Sequence, residues 1–258
     1  MAINDQRLLA ALLRSSLFHF VRKAFATVSP GEVFLPNWHL EALCYHLELV
    51  RAGKIKRLKI EVPPRSLKSV CTSVALPAFI LGHDPTAKII TVSYSSDLAA
   101  KHAADCRAVM QSAWYAALFP ATKLSGAKNQ ESNYETTKRG YRYATSVGGT
   151  LTGRGGNLII IDDPLKPEDA MSQAKREAVN AWYSRTLLWR TRRQSGILMA
   201  LSAATSIVLR SDRLATSSIT MMGIGSKVAQ LWSKKLTARC GSSTGQRNAP
   251  PRPTPASR

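Results

Sequence analysis

RLKIEVPPRSLKS, residues 57–69, decides how this 258-residue chain is read. Its first six residues form a short strand-like run. The run empties into a loop, PPRSLKS, that ends on a lysine and a hydroxyl. A second apolar run, LIII at 158–161, ends in Asp162-Asp163-Pro164, ninety-four residues from Lys68 to Asp162. A lysine and a hydroxyl at the exit of one buried strand, with two carboxylates at the exit of another, are the minimum equipment for holding a nucleotide triphosphate and its Mg²⁺.

The standard phosphate loop is GxxxxGK[ST]. Here its glycine positions fall on Val62 and Leu67, so only Lys68-Ser69 matches, and alone this is a poor phosphate loop that reads first as a surface Lys-Ser after a strand. Its position between a strand and a helix favours the phosphate reading, because N–H groups at a helix N-terminus receive phosphate oxygens. The candidate nucleotide-binding loop is Pro64, Arg65, Ser66, Leu67, Lys68 and Ser69. In that reading Lys68 neutralises the β- and γ-phosphates and Ser69 gives its hydroxyl to Mg²⁺. Arg65 reaches the γ-phosphate as charge develops. Asp162 partners the metal, and Asp163 orients or deprotonates the attacking water. The bland alternative for the two carboxylates is a turn, which Asp-Pro favours.

Other motifs stay open between two readings. Five glycines fall within SVGGTLTGRGGN, residues 146–157, which is either a flexible loop or the carrier of Arg154 as a nucleotide sensor or DNA contact. Trp38 and His39 can stack on an adenine, and Trp38 suits a core equally well. Ser93 and Tyr94, at the end of a strand, can line a polynucleotide path.

Composition narrows the class. Thirty-six Lys+Arg against sixteen Asp+Glu leave a net charge of +20, a field that favours polyanions, nucleic acid first. Cys44, Cys71, Cys106 and Cys240 are too scattered for a zinc motif or a disulfide framework. No apolar run approaches the ~20 residues that span a bilayer. The expectation is a soluble, cytoplasmic protein with no membrane partner.

Periodicity predicts a helix over 1–26, with Leu8, Leu12, Leu13, Leu17, Phe20 and Val21 in phase. It predicts a second over Trp38–Ala52 and a third over Val70–Leu81, bent or ended by Pro77. KIITVSY, 88–94, reads as a strand, followed by a helix capped by Asp97 and running to about Ser112. Residues 120–140 read as loops or an edge hairpin, Tyr141–Thr145 as a strand, Glu168–Arg190 as one long helix, and ILMAL, 197–201, as a last strand. Strands alternating with helices predict an α/β fold: a P-loop NTPase-like, mostly parallel sheet with helices on both faces. From 178 onward thirteen Lys+Arg face one acidic residue, Asp212. The expected organisation is a helical lead-in over 1–56, an ATPase core over 57–201, and an irregular basic tail over 202–258, disordered or out of frame.

WHLEALCYHLE, VPPRSLKS, SYSSDLA, GGTLTGRGGNLIIIDDP and SQAKREAVNAWYSRTLL occur in this order between roughly residues 30 and 190. Together they resemble the large subunit of tailed-phage terminases, where loops lacking the phosphate-loop glycines are a familiar variant. The resemblance implies an ATPase with an additional central strand, using Mg²⁺ with ATP to drive double-stranded DNA into a capsid. It implies a homo-oligomer when active, and partnership with a small terminase subunit and a portal. It carries the roles of Lys68, Ser69, Arg65, Asp162 and Asp163 as given above, with Asp163 standing where family members often have Glu. The departures lie in the tail. Its single acidic residue cannot build the family's nuclease site, and SAATS, 202–206, stands where a Gln-Arg-Leu-His-like coupling signature is expected. The expectation is a tail translated out of frame from about residue 200, with a single shift insufficient to explain all of it. The rival readings are a helicase-like nucleic-acid-dependent ATPase and an inactive basic DNA-binding remnant.

Overall fold

The computed structural model describes residues 3–149, 151, 155–187, 191–202 and 217–220. Three helices, α1 (Ile3–Ser15), α2 (Leu17–Val28) and α3 (Trp38–Arg51), lead into β1 (Arg57–Val62). A π-helical stretch, Val70–Ala75, runs directly into α4 (Leu76–His83), so Pro77 does not end the helical run, and the Ser73 carbonyl four residues before it accepts from Arg142 instead. Then come β2 (Lys88–Ser93), α5 (Ser96–Gln111), α6 (Ala113–Leu118), β3 (Leu124–Asn129), β4 (Asn133–Thr136), β5 (Tyr141–Ser146) and β6 (Gly156–Asp162). A 3₁₀ turn (Pro167–Met171), α7 (Gln173–Trp182) and a second π-helical stretch (Tyr183–Leu187) precede β7 (Thr191–Ser202) and β8 (Ser217–Thr220).

The strands form one sheet in the order β3-β4-β5-β2-β6-β7-β1-β8. From β5 to β8 every neighbouring pair is parallel, and β3 and β4 add an antiparallel hairpin at one edge. The mixed α/β architecture with a mostly parallel core agrees with the alternation of the sequence. β7 separates β1 from β6, so the strands that deliver Lys68 and Asp162 are not adjacent.

Side chains alternate between the two faces of a strand. Ile159 and Ile161 of β6 join Ile90 and Val92 of β2 on one face, buried with Leu165, Ala170, Val179 and Tyr183 from the α7 region. Each such aliphatic side chain contributes about 1.5–3 kcal/mol by leaving water. The alternate residues, Ile160 and Asp162 of β6 and Thr91 of β2, lie on the opposite face. Arg142 of β5 pairs in register with Ile89 and shares that second face. α5 contacts β2, β5 and the first π-helical stretch there, so helices cover both faces.

Four details depart from the periodicity reading. The first helix is two helices, broken at Ser16 (φ −131°, ψ 117°), and Glu48 of α3 accepts a 2.6 Å hydrogen bond from the Leu17 amide at the start of α2. Leu13, Leu17, Phe20 and Val21 are buried, whereas Leu8 and Leu12 are exposed. Ser95, not Asp97, caps α5, accepting from the Leu98 amide. The long helix expected over 168–190 is interrupted because Ser172 acts as an N-cap, accepting from the Lys175 amide and starting α7 afresh. Within the segment expected to be wholly irregular, Ser217–Thr220 pairs with β1.

Phe20 of α2 packs against Phe79 of α4, Trp114 and Tyr115 of α6, and Phe119, with ring centroids 5.1–6.2 Å apart. This aromatic cluster joins the N-terminal helices to the helices beside the sheet.

Gly140, just before β5, has no room for a side chain. A Cβ there lies 2.3 Å from the Pro85 carbonyl oxygen and 2.7 Å from that of Ala87. Gly140→Ala is expected to lose about 1–3 kcal/mol of stability in urea unfolding, through backbone overpacking. Gly126→Ala, where a Cβ meets nothing within 4 Å, is expected to stay within about 0.5 kcal/mol of the parent.

Candidate nucleotide site

Beyond Val62 the chain turns sharply. The Ser66 hydroxyl donates to the Pro63 carbonyl at 2.7 Å, closing the turn. Arg65 (φ 60°) and Leu67 (φ 57°) both adopt the left-handed backbone conformation. Lys68 and Ser69 then open the helical run, with the Cys71 amide bonded to the Leu67 carbonyl at 3.0 Å. Leu67 occupies the second glycine position of the standard motif and takes a conformation that glycine enters freely. The loop shape is therefore reached without its glycine, at a strain of roughly 1–2 kcal/mol for a residue carrying a Cβ.

The loop brings Lys68 to both carboxylates. Its Nζ lies 2.5 Å from Asp163 Oδ2 and 3.4 Å from Asp162 Oδ1. Lys68 is 6% exposed and Asp162 only 1%, so this contact is largely withdrawn from water. Asp163 turns out of β6 with φ 44°, a third left-handed non-glycine residue at the same site. Its carbonyl accepts from the Tyr94 amide at 3.0 Å, tying the ends of β6 and β2 together. Strained backbone of this kind persists where surrounding contacts over-determine it, and it gathers at functional sites.

Behind the carboxylates lies a polar group that the sequence reading passed over. Ser73, in the π-helical stretch, donates its hydroxyl to Asp162 Oδ2 at 2.8 Å. The hydroxyl bonded to Asp162 thus comes from one turn beyond Ser69. Arg142, wholly buried, donates through Nη2 to the Ser73 carbonyl at 3.0 Å. His102 of α5 approaches Asp162 Oδ2 with Nδ1 at 3.7 Å. Burial pushes the His102 imidazole below its usual range, against the opposing pull of Asp162, with Arg142 adding to the downward push. Near neutral pH it is therefore uncharged, and the approach is not an ion pair. Asp162 Oδ1, His102 Nδ1 and Arg142 Nε and Nη1 have no hydrogen-bond partner among the described residues. Ser73 sits at helical spacing from Ser69, a faint signal in sequence. Arg142 lies inside YRYATS, where nothing local reveals its burial.

A cavity of about 430 Å³ opens over the loop, lined by Pro63–Val70, Tyr94, Leu98, Asp163 and Pro167. It gathers the expected loop residues Pro64, Arg65, Ser66, Leu67, Lys68 and Ser69 together with Asp163. Trp38 and His39 do not line it; they pack edge to face on each other at 6.2 Å. Arg154 lies outside the described residues. A separate cavity of about 320 Å³ sits at the other end of the strands, beside Arg51, Lys56 and Asn157, far along β6 from the carboxylates.

No protein-family model and no curated protein matches the sequence. Among solved structures, the crystal structure of the HK97 bacteriophage large terminase aligns with a TM-score of 0.45 at 16% identity, over 73% of this chain and 37% of that one. The chain therefore spans little more than a third of that protein's length.

The left-handed conformation of Leu67 makes a directional test. Leu67→Gly is expected to change stability by less than about 1 kcal/mol, because released strain offsets the added freedom of the unfolded chain. Leu67→Ile places a β-branched residue where its backbone is strongly disfavoured, and is expected to cost about 2 kcal/mol or more. Thermal unfolding of the two variants reads the difference; equal losses in both contradict the assigned backbone.

Proposed function

We propose that the chain is a Mg²⁺-dependent ATPase of the terminase large-subunit type, acting as the motor region that drives double-stranded DNA into a capsid. The observation that carries this reading is the meeting of the Lys68 amine with Asp162 and Asp163 beneath the loop cavity. The net charge of +20 supports a polyanionic partner.

The charge count of the site argues for a metal-bound nucleotide. Lys68 and Arg65 set two positive charges against Asp162 and Asp163, so these four side chains are neutral in sum. A triphosphate entering alone brings several uncompensated negative charges into a half-enclosed cavity. A divalent cation arriving with it restores the balance. Among the described residues no cluster of three or more His, Cys, Asp or Glu offers a cage for such an ion. This suits Mg²⁺, which binds through one or two carboxylates plus substrate phosphates and retained waters. Asp162, whose buried Oδ1 is ion-paired with Lys68 but makes no hydrogen bond among the described residues, and Ser69 are the residues that would hold it. The ion's contribution is neutralisation of charge at the phosphoryl oxygens. Amides at the start of the helical run opened by Lys68 receive phosphate oxygens, and Lys68 leaves the carboxylates for the β/γ-phosphates. Arg65, exposed on the cavity rim, follows the γ-phosphate. Asp163 orients the water that attacks the γ-phosphorus. A homo-oligomeric ring, a small subunit, a portal and the cytoplasm of a host cell belong to the same proposal.

ATP turnover by the purified chain tests it. The expected result is hydrolysis that needs Mg²⁺, rises with double-stranded DNA, and falls about 10²–10³-fold in Lys68→Ala. Asp163→Asn is expected to lower kcat with little change in KM, because it removes an interaction made in the transition state. Equal, slow hydrolysis by the parent and Lys68→Ala overturns the enzyme reading in favour of a DNA-binding remnant. Strand separation of a duplex without packaging activity redirects it to a helicase-like ATPase.

A further inference from the structure

We infer that Ser73 is the positioning residue of this site: it fixes the rotation of the Asp162 carboxylate so that one oxygen is left for a divalent cation. The inference rests on the Mg²⁺–ATP reading above and extends it to a residue outside the phosphate loop. The two oxygens of Asp162 are treated differently by the protein. Oδ2 accepts the Ser73 hydroxyl at 2.8 Å. Oδ1 is buried, makes no hydrogen bond among the described residues, and lies on the Lys68 side, 3.4 Å from its Nζ. A carboxylate free to rotate would interchange the two. Ser73 removes that freedom by occupying one of them.

Ser73 is itself held from behind. Its carbonyl accepts from Arg142 Nη2 at 3.0 Å, and that guanidinium is wholly buried on β5, two strands across the sheet from β6, which carries Asp162, and on the same face as Asp162. Arg142 therefore grips the backbone of the residue whose hydroxyl holds Asp162 Oδ2. The local helix is π-helical over Val70–Ala75, each backbone hydrogen bond spanning one residue more than in an α-helix. Such bulges re-aim side chains and recur at functional sites. Here the bulge spans the turn that presents Ser73, immediately after Lys68 and Ser69. Thr72 anchors the same turn by donating to the Lys68 carbonyl at 2.9 Å. Loop, bulge and metal-side carboxylate are thus linked by one short chain of hydrogen bonds. Partners of this kind orient metal ligands, and their loss typically weakens metal affinity by about 10–100-fold.

The test measures binding without turnover. Isothermal titration of the non-hydrolysable analogue AMP-PNP, repeated across Mg²⁺ concentrations, gives the Mg²⁺ level that half-saturates tight binding. Ser73→Ala is expected to raise that level about tenfold, while binding of the analogue in EDTA stays unchanged. Ser73→Thr, which keeps the hydroxyl, is expected to restore the parent value. Ser73→Cys keeps the volume with a poor donor and is expected to behave like Ser73→Ala, so it carries the test if the alanine variant does not fold. A folded Ala or Cys variant with the parent's Mg²⁺ requirement overturns the inference. So does loss of folding in both, which assigns Ser73 to structure alone. If the parent protein itself shows no Mg²⁺-dependent binding, it is the ATPase reading that fails, and the two failures are thereby told apart.

Discussion

A lysine amine shared between two carboxylates is the constraint around which this end of the sheet is organised. Lys68 issues from a loop after β1, and Asp162 and Asp163 from the end of β6, with β7 lying between those strands. The contact must therefore bridge a full strand. It does so because the loop folds back over the strand ends and the long lysine side chain covers the remaining distance. Burying a single charge there would be costly, since desolvation of an unpaired ion outweighs most local gains. The buried amine and the buried Asp162 carboxylate, with the part-exposed Asp163, hold one another in place. Every nearby feature, from the strained loop to the buried arginine, is consistent with maintaining that meeting.

The backbone bears the cost. Arg65, Leu67 and Asp163 all carry side chains in left-handed conformations, and all three stand within the site. Strain of this order has to be offset by contacts that leave no relaxed alternative. Ser66 bonded to Pro63, Cys71 to Leu67, and Tyr94 to Asp163 supply such contacts on both sides of the lysine. A glycine-bearing loop reaches the same shape without strain but with more freedom to lose on folding. Leu67 exchanges that freedom for a stiffer loop.

How much of this was legible follows from where each signal resides. The strands β1, β2, β5 and β6 announce themselves through apolar and β-branched runs, and the exits of β1 and β6 carry their charged residues in plain view. The end of α1 at Ser16 was hidden because the apolar spacing continues across it; the break is held by Glu48, a residue of another helix. Ser95 outcompeted Asp97 as a cap by a local bond that either residue type can make. The helix over 168–190 looked continuous because amphipathic spacing is blind to a serine that caps in mid-run. Arg142 was illegible for a deeper reason. Strand alternation assigns it a face, but not whether that face is covered. Only the packing of α5 and the π-helical stretch over β5 turns an ordinary strand arginine into a buried one. Ser73 inherits the same limit, since its partner is eighty-nine residues away.

The contacts of Lys68 also constrain how the proposed nucleotide must be received. Lys68 cannot serve phosphate oxygens and both carboxylates at once, so binding is an exchange of partners and not a simple addition. When the amine moves away, Asp162 and Asp163 are left as adjacent anions at a strand end, one of them almost without solvent. In the proposed site a divalent cation at Asp162 Oδ1 would take the place of the amine and offset that charge. The bond from Ser73 leaves Asp162 presenting that same oxygen throughout the exchange. On this view the cation and the triphosphate are not independent ligands. Each would strengthen the other's binding, the first by replacing the amine and the second by attracting it away, with the Ser73 hydroxyl holding the Asp162 carboxylate in place.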